Sequence, residues 1–312
     1  MFSLFRRKEN LPDVPAWASF FDKSEYKSFI DTIEKYFYKK NVTYTMDTGT
    51  LTPQSNDFGF SMLGLSNLSQ NCKQGSRADY YKIVSAHFDS MLRSHQYNKE
   101  LDKIIEDFEQ VKKYLGVRIY AEEYIAHVGK ENTVSKHIAG ELYATMVLDL
   151  PEAVQTVSAE KAEKWGKTRD ELLEIGVQNI KSNYTFNVSK EALEDFKIWL
   201  ITGEHFFTPN ILFDLQNRPN LVGKSGALIG LPHRHAVIIY PIDDLDFVKT
   251  INVLIPLISS MYEEGPGSVS TNLLWYYNGE FENQPYVIEE GTIQFTPTEG
   301  FLEMINDWAG DE

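Results

Sequence analysis

Apolar residues recur at helical spacing in several stretches of the chain and alternate at strand spacing in others, and the mixture points to an α+β fold. From Ser24, a residue type that favours the start of a helix, Tyr26, Phe29, Ile30, Ile33 and Phe37 predict a one-sided helix. Alternation from Val42 to Met46, a turn at Gly49 and the stretch Phe58 to Leu65 predict short strands. Ser76 with Asp79 has the spacing of a capping box, and Tyr80, Val84, His87, Phe88 and Met91 stripe the helix it would open. Asn98 predicts the start of a second helix, whose stripe runs through Leu101, Ile104, Ile105, Phe108, Val111 and Leu115 and stops at Gly116.

Strand patterns over Val117 to Tyr120 and Leu142 to Leu150 flank a polar stretch, Gly129 to Ser135, that predicts a loop and a lobe boundary. A short helix follows from Ser158 to about Trp165, and the capping box of Thr168 and Glu171 opens a longer one buried on Leu172, Leu173, Gly176 and Ile180. Next come a strand from Tyr184, a short helix from Ser189, a strand through Ile198 to Ile201, and a helix opened by Thr208 and Pro209. A hairpin over Ala227 to Leu231 and Ala236 to Tyr240 precedes a helix from Leu245 to Met261 kinked at Pro256, and a strand from Ser270 to Tyr277. The end predicts a brief strand around Thr292 to Phe295 and a short helix around Gly300 to Trp308. These elements group into two lobes of helices packed on short antiparallel or mixed sheets, over 1–128 and 129–290, with an acidic segment over 291–312.

Length supports that division, because 312 residues exceed the roughly 250 at which single cores stop growing. Charge then narrows the partners. The net charge of -15 repels phosphate backbones, so nucleic acid is not expected. Between Asp243 and Glu312 fourteen carboxylates face Lys249 alone, whereas Met1 to Lys40 is slightly basic. An acidic surface of this kind keeps a protein soluble and suits a basic protein partner. The single cysteine, Cys72, excludes an internal disulfide, no apolar secretory stretch follows Arg6 and Arg7, and Phe247 to Met261 is too short and interrupted to span a bilayer. A cytoplasmic protein without a membrane segment is expected.

Candidate chemistry is sparse. Pro232-His233-Arg234-His235 lies between two apolar strands, and if it is extended, His233 and His235 share a face and could bind a divalent metal with Glu204, His205 or Asp243 as a third ligand. The alternative is a polar turn whose imidazoles bond to backbone or carboxylates. Gly223-Lys224-Ser225 ends like a phosphate loop, yet Arg218 stands where its first glycine is needed, and a hairpin turn explains it better. Cys72 and His87 carry no nucleophile signature. In the run Trp275-Tyr276-Tyr277 alternate side chains would face outward, which makes Trp275 and Tyr277 the interface candidates.

The order Leu148-Asp149-Leu150-Pro151, then Trp165-Gly166-Lys167-Thr168 with Glu171 and Leu172 leading to Asn179, then Leu231-Pro232-His233 and the helix before Asn278-Gly279, resembles the YtpQ-like family of uncharacterised bacterial proteins. The resemblance spans about Ser24 to Glu282. It implies a bacterial, cytosolic α+β protein with no assigned activity and no catalytic set to carry over. Three functions therefore stand open: a non-catalytic protein-binding or adaptor module, a metal-dependent hydrolase or transferase using His233 and His235, and an immunity-type inhibitor of a basic partner. No cofactor is indicated.

Overall fold

The computed structural model of the chain describes residues 12–54, 61–151 and 153–310, with backbone only at 94–103, 309 and 310. Contacts divide it into two units, Met1–Leu101 and Asp102–Glu312.

In the first unit, α1 (Lys23–Lys40) is capped by Asp22, two residues before the expected Ser24. Asp22 accepts from the Ser24 and Glu25 N–H groups while Glu25 accepts from the Asp22 N–H, which completes a capping box. β1 (Tyr44–Asp47), β2 (Thr50–Pro53) and β3 (Leu63–Gly64) form a three-stranded sheet. Phe58 to Phe60 of the expected third strand lie outside the described residues. α2 (Ser66–Gln74) follows, and α3 (Tyr80–Ile105) runs unbroken past Asn98, so the second helix expected there has no start of its own. It ends at Ile105, short of the expected stop at Gly116, because Leu115 and Gly116 are taken into a strand. Phe29, Ile33 and Phe37 of α1 meet Tyr80, Val84 and Phe88 of α3, all 2% exposed or less, and Tyr36 stacks on Phe88 at 5.1 Å. The unit is thus held by aromatic packing between helices.

The second unit begins with α4 (Phe108–Val111), β4 (Leu115–Ala121) and α5 (Glu122–Val128). β4 pairs along its full length with β6 (Leu142–Leu150), whose other edge is shared by β5 (Ser135–Ala139) and β7 (Ala153–Thr156). That pairing ties the chain on both sides of residue 128 into one sheet. α6 (Ala159–Glu163) and α7 (Arg169–Asn183) follow. The Thr168–Glu171 capping box forms as expected, and α7 covers β4 with Leu172, Leu173, Gly176 and Ile180 buried. Gly176 permits the close approach, since a Cβ there would lie 2.9 Å from the Gly116 carbonyl carbon.

A six-stranded antiparallel sheet makes the centre of this unit, in the order β13 (Glu280–Gln284), β12 (Leu273–Tyr277), β10 (Ala227–His233), β11 (Ala236–Pro241), β9 (Phe196–Thr202), β8 (Asn187–Leu193). Ser189 lies within β8 and opens no helix. β8 is an edge strand whose polar residues hide its alternation, and pairing with β9 fixes it. One face of the sheet is covered by α8 (Phe247–Glu264), which runs through Pro256, and by α9 (Glu299–Gly310). The other packs on the 3-10 segment Thr208–Asn217 and on Ile119 and Leu142 of the smaller sheet. β14 (Tyr286–Glu289) pairs with β15 (Thr292–Phe295).

The acidic segment over 291–312 is accordingly no appendage as far as residue 310. Phe301 is fully buried against Trp275 and Phe247, and the Trp308 Nε1–H donates to Ser225 Oγ at 2.6 Å. Its carboxylates Glu299, Glu303 and Asp307 lie on the exposed side of α9, four residues apart. The fold is α+β, with helices on small antiparallel sheets in both units. Among the described residues no helix is long and apolar enough to cross a membrane.

Candidate functional site

His233 is the last residue of β10 and pairs with Ala236, so Arg234 and His235 are the two central residues of a tight hairpin turn. The extended His-x-His of the sequence reading is absent, because the ladder shifts register between Gly230 and His233. The His235 N–H donates to His233 Nδ1 at 3.2 Å, and the two ring centroids lie 6.2 Å apart. Arg234 Nε–H donates to His235 Nε2 at 3.1 Å, which leaves His235 Nδ1 to donate to the Gly203 carbonyl, also at 3.1 Å. Both nitrogens of His235 are therefore engaged.

Two of the three proposed third ligands are engaged elsewhere, and Glu204 lines the hollow beside the turn. His205 accepts from the Phe207 N–H and donates to the Thr185 carbonyl, and Asp243 accepts from the Lys224 N–H. Among the described residues no group of three or more His, Cys, Asp or Glu is arranged to hold a metal ion. The turn is the polar hairpin of the alternative reading. Burial, reinforced by the charges of His235 and Arg234, lowers the His233 pKa to about 4, and burial beside Arg234 lowers that of His235.

What the turn assembles is cationic and aromatic. The Arg234 guanidinium lies 4.3 Å from the centre of the Phe206 ring, and that of Arg118, on β4, lies 5.7 Å from the same ring and 4.8 Å from Tyr120. Phe206 is 38% exposed and meets the His235 ring edge-on at 5.6 Å. Arg234 is anchored by its N–H to the Gly267 carbonyl at 3.0 Å and lies flat over Gly267, where a Cβ would sit 2.6 Å from its Cδ. Among the described residues no carboxylate pairs with either arginine. Burial and the neighbouring Arg118 charge bring the Arg234 pKa down to about 10, which keeps it protonated at neutral pH. Beside the turn lies an open hollow of about 880 Å³ lined by Tyr184, Phe186, His205, His233, His235 and Met261, with Glu204 on its wall.

Trp275 and Tyr277 differ from the sequence reading in part. Trp275 is 5% exposed, donates to the Ser225 carbonyl at 2.9 Å and packs on Phe301, because α9 covers the face on which an anchor would have stood. Tyr277, stacked on Trp275 at 5.3 Å, is 39% exposed. Cys72 is fully buried, which pushes its thiol up to about 12 and leaves it without nucleophilic character.

A second concavity has no counterpart in the sequence pattern. A groove of about 540 Å³ runs between α7, the small sheet and β13, floored by Val117, Ile138, Leu173, Val177, Phe213 and Phe281. Lys136 and Asp170 pair across one rim at 3.0 Å. Glu174 and Glu280, both exposed, line it with no cation paired to either among the described residues. Comparison of the chain with models of known protein families, with curated proteins and with solved structures finds no match.

Proposed function

We propose that this chain is a non-catalytic protein-binding module whose groove receives a partner segment carrying an apolar side chain flanked by Lys or Arg. One observation carries the reading: an apolar floor of six side chains lies beneath two exposed carboxylates, Glu174 and Glu280, that have no cation of their own among the described residues. Burying an aliphatic or aromatic side chain in such a groove contributes about 1.5–3 kcal/mol, and the rim carboxylates favour a basic flank. The chain's charge of -15 steers the same partner toward it at low salt. A lone buried thiol suits the reducing cytoplasm, where the reading places the protein.

The test is selection of peptides from a random display library, followed by charge reversal. The reading expects enriched sequences with Lys or Arg around one large apolar residue. Their affinity should fall about tenfold in the Glu174→Lys, Glu280→Lys double variant, as expected when attraction becomes repulsion at a rim. Enrichment of acidic peptides, or binding indifferent to the double variant, contradicts it.

A further inference from the structure

The two arginines around Phe206 lie on a surface apart from the groove and point to a ligand of opposite charge. In a chain with 45 acidic and 30 basic residues, carboxylates are in ample supply, yet neither Arg118 nor Arg234 meets one among the described residues. Bringing two like charges to one ring costs stability, and among the described residues aromatic faces and one imidazole offset it, with no carboxylate. Arg234 donates its Nε–H to His235, which leaves its four terminal N–H groups, while the Arg118 guanidinium makes no hydrogen bond among the described residues. Aromatic faces set the position of both groups, so much of the ordering cost of binding is met before a ligand arrives.

We propose that Arg118, Arg234 and Phe206 form a binding site for a phosphate monoester, with the phosphoryl group held by the two guanidinium forks and its organic part lying in the hollow beside His235. The phosphoryl group fits on charge and on geometry. A dianion matches two cations where a carboxylate leaves one unneutralised, and its three terminal oxygens accept from both forks. The ester group fits because the hollow next to the turn is walled by Tyr184, Phe186 and Met261. Glu204 in its wall repels a second anionic group there, which selects a ligand charged at one end only.

The test is calorimetric titration of the full chain with phenyl phosphate, inorganic phosphate and benzoate, repeated on Arg118→Gln, Arg234→Gln and Arg118→Lys. Phenyl phosphate should bind saturably, inorganic phosphate more weakly, and benzoate weakest of the three. Each Gln variant should lose about tenfold or more in affinity for phenyl phosphate, the worth of a charge-assisted hydrogen bond. Arg118→Lys, which keeps the charge and loses the fork, should recover only part of that loss and carries the test if Arg118→Gln fails to fold. Phenyl phosphate should also raise the melting temperature of the wild type and leave that of Arg234→Gln nearly unmoved, a response that a purely structural arginine does not give. No saturable heat up to about 10 mM phenyl phosphate overturns the proposal, since affinity weaker than that is indistinguishable from bulk ion pairing. Benzoate binding as tightly as phenyl phosphate, inorganic phosphate matching phenyl phosphate, or unchanged binding in folded Gln variants overturns it equally.

Discussion

In the first unit Lys40 lies 2.7 Å from Asp89, Lys73 2.7 Å from Glu25 and Arg77 3.2 Å from Asp22. In the second, Arg118 and Arg234 both lie against the Phe206 ring, close enough that the charge of Arg118 lowers the Arg234 pKa. The second unit does pair charges where architecture needs it. Asp214, on the 3-10 segment, takes Lys181 of α7 at 2.6 Å and Arg218 at 2.7 Å with its own side chain only 11% exposed. The contrast separates cations that belong to the fold from cations that do not. The first unit closes on its own aromatic core and pairs Lys40, Lys73 and Arg77 with carboxylates, although Lys35 and Lys39 share the Tyr81 ring, whereas the second keeps two half-buried guanidinium groups and an acidic groove rim open.

Several substitutions break or sharpen this contrast. Phe88→Ala removes the ring that Tyr36 and Phe37 pack against and should cost the first unit about 3–5 kcal/mol in urea unfolding. A loss below 1 kcal/mol would mean that the aromatic core does not hold that unit. Asp214→Asn should cost about 2 kcal/mol by leaving Lys181 and Arg218 unmatched.

That carboxylate also sets an acid window. Burial raises its pKa, but bonds from Lys181, Asn217 and Arg218 outweigh burial and bring it down to about 2. The folded value lies below the unfolded one, so its stabilisation is present above pH 3.8 and is lost as pH falls toward 2. The wild type should lose stability across that window and Asp214→Asn should not.

His233 titrates higher, and the fall from 6.5 to about 4 converts to about 3 kcal/mol before solvent screening of its half-buried ring reduces it. Its pKa falls from 6.5 to about 4 on folding, so stability is full above 6.5 and declines as pH falls through 4. His233→Gln should flatten the pH dependence between those values, and an unchanged slope would place the titration elsewhere. The smallest effects make the sharpest comparison. Arg77→Gln should destabilise by a few tenths of a kcal/mol, as an exposed ion pair does, whereas Arg118→Gln should leave the melting temperature unchanged or raise it. Equal losses in both would place Arg118 among the fold's own cations.

Local signals were legible in the sequence and long-range ones were not. The Thr168–Glu171 box and the stripe of Leu172, Leu173, Gly176 and Ile180 could be read because both are set within a few residues. β8 could not, since Asn187–Leu193 is a strand only by virtue of β9. The burial of Trp275 leaves no local trace, because it depends on α9, more than twenty residues later in the chain. At the turn, His233 and His235 drew notice through their spacing, yet the chemistry gathers around Arg234, with Arg118 brought from β4 and Phe206 from the loop after β9. One signal for Arg118 was present, a lone cation in the otherwise apolar run Leu115 to Ala121. Glu174, Glu280 and Phe281 are joined only by the fold and left no pattern to read.

The central claim, that partners engage the second unit through the groove, is tested most directly by mapping amide resonance shifts as a selected basic, apolar peptide is titrated into the full chain. The account predicts saturable shifts concentrated at Val117, Ile138, Leu173, Val177, Phe213 and Phe281. Shifts concentrated instead in the first unit, or around Tyr277, would contradict it.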